Sequence, residues 1–169
     1  MEADLEKKHP VRVRAAAPGD VGEIHAMIGE LAAFEHLSDQ FVATVEDLAE
    51  SFFGEQPAAG ALVAEEVESR KLVGYAIWFT TFSSFLGKAG LWLEDLYVRP
   101  DWRGGGVGKQ LLVSVARLAK EKGSGRYEWS VIDWNQRAID FYRAAGAEIL
   151  PDWRFVRMDE TGIARLSEE

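Results

Sequence analysis

Residues 95–112 read DLYVRPDWRGGGVGKQLL, and this stretch decides the fold. An apolar, strand-like run enters a loop in which Gly104, Gly105, Gly106 and Gly108 are interrupted only by Val107. Arg103 precedes the loop and Lys109 follows it. Val107, Leu111, Leu112, Val115, Leu118 and Ala119 then recur at helical spacing up to Gly123. A strand feeding glycines that open a helix makes an anion site. The helix start offers unpaired N–H groups and a partial positive charge. Glycines let those amides curl around a phosphate without side-chain clashes. The stretch therefore predicts a phosphate or pyrophosphate ligand at a strand-to-helix turn.

Three phosphate motifs compete for the loop. The pattern G-x-x-x-x-G-K-[ST] fails twice: Arg103 stands where its first glycine belongs, and Gln110 where a magnesium-binding hydroxyl is needed. G-x-G-x-x-G fails because its third glycine falls on Lys109. The pattern [RQ]-x-x-G-x-[GA] is matched in full by Arg103 to Gly108.

Working outward, residues 11–16 (VRVRAA) alternate as a first strand. Asp20 and Glu23 form a D-x-x-E helix start. Val21, Ile24, Met27, Ile28 and Leu31 carry that helix to about Phe34. Thr44 and Asp47 repeat the signal before Leu48 and Phe52. Residues 60–67 and 71–82 read as a hairpin, 83–90 as a loop, and 91–98 (LWLEDLYV) as a strand. Residues 127–133 read as a further strand. Asn135 caps a helix from Gln136 to about Ala145, closed by Gly146. Residues 153–159 (WRFVRMD) read as a last strand. This order predicts one α/β domain over 1–169 with a mixed, mostly antiparallel central sheet flanked by helices, and frayed ends at 1–9 and 163–169.

The totals narrow the function. The 169 residues suit one domain with a real core, and no apolar run reaches a membrane span. The N-terminus lacks the apolar segment of a signal peptide. No cysteine is present, which excludes disulfides and any cysteine-bound intermediate and fits a cytoplasmic location. The formal net charge of −9 argues against nucleic acid as a partner and suits a cationic ligand, or simple solubility. His9, His25 and His36 show no ligand spacing, so no metal is implied.

The glycine stretch with its preceding strand, LEDLYVRPDWRGGGVGKQLL, resembles the acetyl-coenzyme A signature of the GNAT acetyltransferases. Residues 131–148, VIDWNQRAIDFYRAAGAE, are similar to that family's later motif. The element order follows the GNAT fold along nearly the whole chain. Within the family the likeness is to the diamine acetyltransferases, of the spermidine/spermine and thialysine type. It is carried by ELAAFEHLSD, FFGEQP, FLGKAGLWLEDLYV and DWNQRAIDFY.

The resemblance implies an acetyl-CoA-dependent enzyme that moves an acetyl group directly to a primary amine of a small molecule, as a homodimer. The pyrophosphate would lie on Arg103, Gly104, Gly105, Gly106, Val107, Gly108 and Lys109. The backbone of Leu96, Tyr97 and Val98 would pair with the pantetheine arm and offer an N–H to the thioester oxygen. Asn135 either caps its helix or also touches that arm, beside Ala138. Glu94 matches the acid that draws the proton from the amine. Tyr142 matches the tyrosine that protonates the thiolate, a transfer that the similar acidities of phenol and thiol allow; packing in a core is its other reading. Phe34 and Glu35 resemble the pair lining the amine pocket, with Trp78, Phe82 and Phe85 as further wall residues; core packing is an equal reading for Trp78. Arg143 is a weaker phosphate candidate. Because neighbours in a strand face opposite ways, Asp95 is expected to be structural where Glu94 faces substrate. Ser83 and Ser84 replace an acidic residue of polyamine-specific members, which argues against spermidine; a diamine or a lysine-like amino acid fits no worse. Two rivals stay open: an acetyltransferase acting on protein N-termini or lysines, and a non-catalytic acyl-CoA sensor.

Overall fold

A computed structural model describes residues 10–168. The chain divides into two compact units, the first ending at Ser130 and the second starting at Val131.

The first unit is a five-stranded sheet in the order β1-β2-β3-β4-β5: β1 (Val11–Ala15), β2 (Gly60–Glu66), β3 (Leu72–Ser83), β4 (Lys88–Val98) and β5 (Tyr127–Glu128). The first four strands are antiparallel neighbours, and β5 joins β4 in parallel. The expected mixed, mostly antiparallel sheet is what the chain forms. Helices α1 (Val21–Phe34) and α2 (Val45–Phe53) cover one face. There Ile24, Met27 and Phe52 pack with Val63, Tyr75, Ile77 and Tyr97. Helix α3 (Val107–Glu121) packs on the other face through Leu111, Leu112, Val115 and Ala119.

Local chemistry explains most boundaries. Thr44 and Asp47 form the expected capping box: the Thr44 Oγ accepts from the Asp47 N–H at 3.1 Å, and the Asp47 carboxylate accepts from the Thr44 N–H at 2.8 Å. Asp20 departs from expectation. Its carboxylate reaches back to the Ala17 N–H at 2.7 Å and pairs with Arg14, closing a 3-10 turn ahead of α1 rather than capping the helix with Glu23. The Arg14 bonds hold the Asp20 carboxyl below its ordinary range.

Two predicted strands are corrected. Residues 127–133 supply only Tyr127–Glu128, because β4 is paired with β5 only at Leu91 and Trp92. Just beyond Trp92, β4 carries a bulge, and a bulged strand bends and leaves its ladder. Residues 153–159 form no strand and join no sheet among the described residues.

The second unit holds α4 (Gln136–Ala144) and α5 (Glu160–Ser167). The Asn135 side-chain Oδ1 accepts from the Ala138 N–H at 3.2 Å, as expected of a cap. At the other end Gly146 has φ +91°, the Gly146 N–H donates to the Arg143 carbonyl, and the Ala147 N–H donates to that of Tyr142. That left-handed closure suits glycine. Of the residues expected to fray, 163–167 are instead helical in α5, whose Asp159 cap accepts from the Gly162 N–H at 2.8 Å. Residues 1–9 and 169, the other part of that expectation, lie outside the described residues.

Gly74 sets how closely the layers meet. A Cβ there would fall 2.7 Å from the Tyr97 carbonyl oxygen and 3.3 Å from the Leu111 side chain. Gly74→Ala is expected to cost about 1–3 kcal/mol by overpacking. Urea denaturation of the two proteins measures it directly.

Candidate active site

The site is built around one extra residue in β4. Ile77 pairs with Asp95, but the next residue of β3, Trp78, pairs with Leu93. Glu94 is therefore the bulged residue, with no partner position on β3. A regular strand would send Glu94 and Asp95 to opposite faces. The bulge sends both carboxylates to the α1–α2 side, where they line one cleft of about 480 Å³. The expectation that the two acids point to opposite faces is thus corrected. Apolar side chains supply most of the wall: Ile28, Phe41, Leu48, Phe52, Ile77 and Phe79.

The two acids sit in different surroundings. Glu94 is exposed, and its carboxylate accepts from the Trp92 indole N–H at 2.9 Å. Asp95 is largely buried. Burial, and then the neighbouring charge of Glu94, push its carboxyl up to about 6, against the hydrogen bond donated by the Tyr75 hydroxyl at 3.2 Å. Burial with the Asp95 charge pushes the Tyr75 phenol well above its ordinary value, so it stays protonated and donating. Glu35, just past the end of α1, is raised by burial and adds to the field on Asp95. Three carboxylates therefore share one negative field beside an apolar cleft. Such a place attracts a cation on an alkyl stem.

Other expected pocket residues fall elsewhere. Trp78 points to the α3 face, where Lys122 lies 5.0 Å from its ring centroid. Phe82 and Phe85 are 72% and 91% exposed at the β3–β4 hairpin. The Phe82–Ala89 pair lies five residues, about 17 Å, along the ladder from Ile77–Asp95. Ser83 is buried, and its hydroxyl accepts from the Leu86 N–H. Phe34 is the last residue of α1, half exposed, with its ring under the Arg103 guanidinium.

The glycine loop has the geometry its sequence predicts. Gly104 and Gly106 have φ of +79° and +86°, and Gly106 is the N-cap of α3. No atom lies within 4 Å of where a Cβ would stand at either glycine, so the loop borders open space. The N–H groups of Val107, Gly108 and Lys109 fall in the first turn, where no helical carbonyl can take them. Beyond Trp92 the β4 flank away from β3 has no strand ladder among the described residues, so the backbone from Leu93 to Val98, including Leu96 and Tyr97, is open to pairing there. This arrangement fits a pyrophosphate and an extended pantetheine arm. In the second unit, Tyr142 is buried on α4 with its ring 5.3 Å from that of Phe141. Arg143 is exposed in the last turn of α4.

Comparison with known proteins agrees with this geometry. Residues 30–147 match the family model described as "Acetyltransferase (GNAT) family". The chain belongs to the GNAT acetyltransferase family. It is an acetyltransferase, and the family draws its acetyl group from acetyl-CoA. The chain is 37% identical over 166 residues to a thialysine N-epsilon-acetyltransferase of Sus scrofa, covering 93% of this chain and 97% of the relative. It is 33% identical over 190 residues to an L-ornithine N5-acetyltransferase of Arabidopsis thaliana, covering 87% and 83%. Among solved structures, an integron cassette protein of V. cholerae superposes with a TM-score of 0.77 at 23% identity, covering 94% of this chain and 98% of that one. An aminoglycoside acetyltransferase from a soil metagenome superposes with a TM-score of 0.72 at 20% identity, covering 88% and 97%. These two establish likeness of fold.

The raised Asp95 carboxyl makes a stability prediction. The fold prefers its protonated form, so the burial penalty is absent below the ordinary value of 3.8, grows from there to about 6, and is complete above. Asp95→Asn, which keeps an acceptor for Tyr75, is expected to stabilise the GNAT fold by roughly 2–3 kcal/mol at pH 7.5. The gain should vanish by about pH 4, as thermal melts across that range will read.

Proposed function

We propose that this chain acetylates a primary amine at the end of a short alkyl chain, using acetyl-CoA, within a single GNAT domain spanning residues 1–169. The observation that carries the reading is the bulge that turns Glu94 and Asp95 into one apolar cleft. An ammonium head meets the carboxylates while its methylene stem contacts Ile28, Leu48 and Phe79. Thialysine and L-ornithine, the acceptors named for two relatives, both have this form. The hairpin serines, where a longer polycation would need an acid, support the shorter acceptor.

Each residue then has a task. Asp95, with Glu35 nearby, holds the ammonium, and the exposed Glu94 takes its proton so that nitrogen gains a lone pair. When bound, acetyl-CoA supplies the thioester whose carbonyl carbon that nitrogen attacks as the carbon–sulfur bond breaks. The β4 backbone at Leu96, Tyr97 and Val98 pairs with the pantetheine arm and directs an N–H at the carbonyl oxygen. Gly104, Gly105, Gly106, Val107, Gly108 and Lys109 receive the pyrophosphate. Tyr142 gives its phenolic proton to the departing thiolate. Asn135 and Ala138, at the start of α4, are assigned contacts to the same arm. No cysteine takes part, so transfer is direct.

The protein also forms a homodimer in this reading. Trp153, Phe155 and Val156 are 76%, 69% and 90% exposed. A second copy that covers these side chains takes an apolar surface out of water.

The test is thiol release from acetyl-CoA with thialysine, L-ornithine, putrescine, spermidine and short peptides. Turnover is expected with the short amines. Tyr142→Phe should cut kcat by about 10²-fold or more, and Glu94→Gln by a similar amount, in keeping with the loss of a proton-transfer group. With Asp95 raised to about 6, kcat/KM should fall as pH drops through 6, and Asp95→Asn should lose that limb. Tight coenzyme A binding without turnover of any small amine would move the assignment to a protein substrate or to a sensor.

A further inference from the structure

Arg103 stands directly before the glycine loop, yet its side chain turns away from it. The Nε–H donates to the Val98 carbonyl at 2.7 Å, at the very end of β4. From there the guanidinium lies over two rings, 5.4 Å from the centroid of Phe34 and 5.5 Å from that of Tyr97. Tyr97 is buried, and its hydroxyl donates to Glu30 of α1 at 3.0 Å. Phe34 closes α1 and is followed by Glu35, whose charge acts on Asp95. One side chain thus touches the end of the acceptor-bearing helix, the strand carrying the two acids and the loop that takes the pyrophosphate.

We propose that Arg103 is a positioning residue coupling the two substrate sites, holding the glycine loop in place by stacking on Phe34. This rests on the amine-cleft and glycine-loop readings above and adds a role that neither contains. The expectation that Arg103 serves the pyrophosphate directly is replaced by an indirect role. The chemistry asks for arginine: a planar cation can lie flat on a ring while its Nε–H holds a carbonyl, and a lysine ammonium cannot do both. Phe34 then does two jobs. Its ring borders the acceptor end of α1, and its face anchors the residue from which the loop departs. A ligand that orders the loop steadies Phe34, and whatever displaces Phe34 loosens the loop. Coupling of this kind is reciprocal.

A double-mutant cycle on coenzyme A affinity tests it, read by calorimetry on the full chain for wild type, Phe34→Leu, Arg103→Lys and the double variant. Phe34→Leu changes a half-exposed side chain that has no place in the phosphate loop. It is nevertheless expected to weaken coenzyme A binding about two- to fivefold, the size of one cation–π contact. Phe34→Tyr, which keeps the ring, should restore wild-type affinity. The double variant should bind no more weakly than Arg103→Lys alone. An unchanged affinity in Phe34→Leu, or losses that multiply in the double variant, would overturn the coupling. The readout needs no turnover, so failure of the amine reading leaves the test intact. A wild type that does not bind coenzyme A overturns the glycine-loop reading, and the coupling with it.

Discussion

One inserted residue in β4 governs the site. Without the bulge at Glu94, strand alternation would send one of two adjacent acids to the α3 face. With it, both reach the same cleft, and β4 turns away from β5 after only two paired residues. The bend that gathers the acids also frees the strand flank on which an extended cofactor arm can pair. The acid-lined cleft and the open strand flank are thus two consequences of a single local departure from regular β structure.

Helix α1 must be held firmly for that arrangement to matter, because Phe34 and Glu35 stand at its end. Arg99, just past β4, does much of the holding. It donates to Glu30 and Glu23 of α1 and to the Leu72 carbonyl of β3. Arg99 is the main reason the Glu30 carboxyl sits below its ordinary range, with Tyr97 adding a second donor. Net interaction between exposed charges is small, but Arg99 is mostly sheltered and makes several bonds at once. Past Glu35 the chain leaves α1 through His36 at φ +60°, a left-handed turn without glycine. Strain of that kind survives only where its surroundings impose it.

What was legible in the sequence follows from how local each signal is. The glycine loop, the Thr44 cap, the Asn135 cap and the Gly146 closure depend on a few neighbouring residues, and the structure has all of them. The bulge was not legible. Glu94 and Asp95 read as ordinary alternation, and only pairing with Ile77 and Trp78, residues distant in sequence, identifies the extra one. Residues 153–159 misled for the opposite reason: their composition suits a strand, but a strand needs a partner ladder and the described chain offers none. Trp78 and Phe85 were placed by residue type alone, and type does not say which face of a sheet or which end of a hairpin a ring occupies.

The placement of charge argues for recognising one amine at a time. Glu94 and Glu35 both act on Asp95 at one end of an apolar cleft, whereas the β3–β4 hairpin carries serine and exposed phenylalanine about 17 Å along the ladder. A buried carboxylate raised to about 6 opposes the fold at neutral pH, and a cation beside it removes that opposition. An ammonium therefore gains most when its charge stands at Asp95 and its stem stays uncharged against Ile28 and Leu48. In the proposed reaction, proton removal by Glu94 would undo that ion pair as the nitrogen becomes nucleophilic.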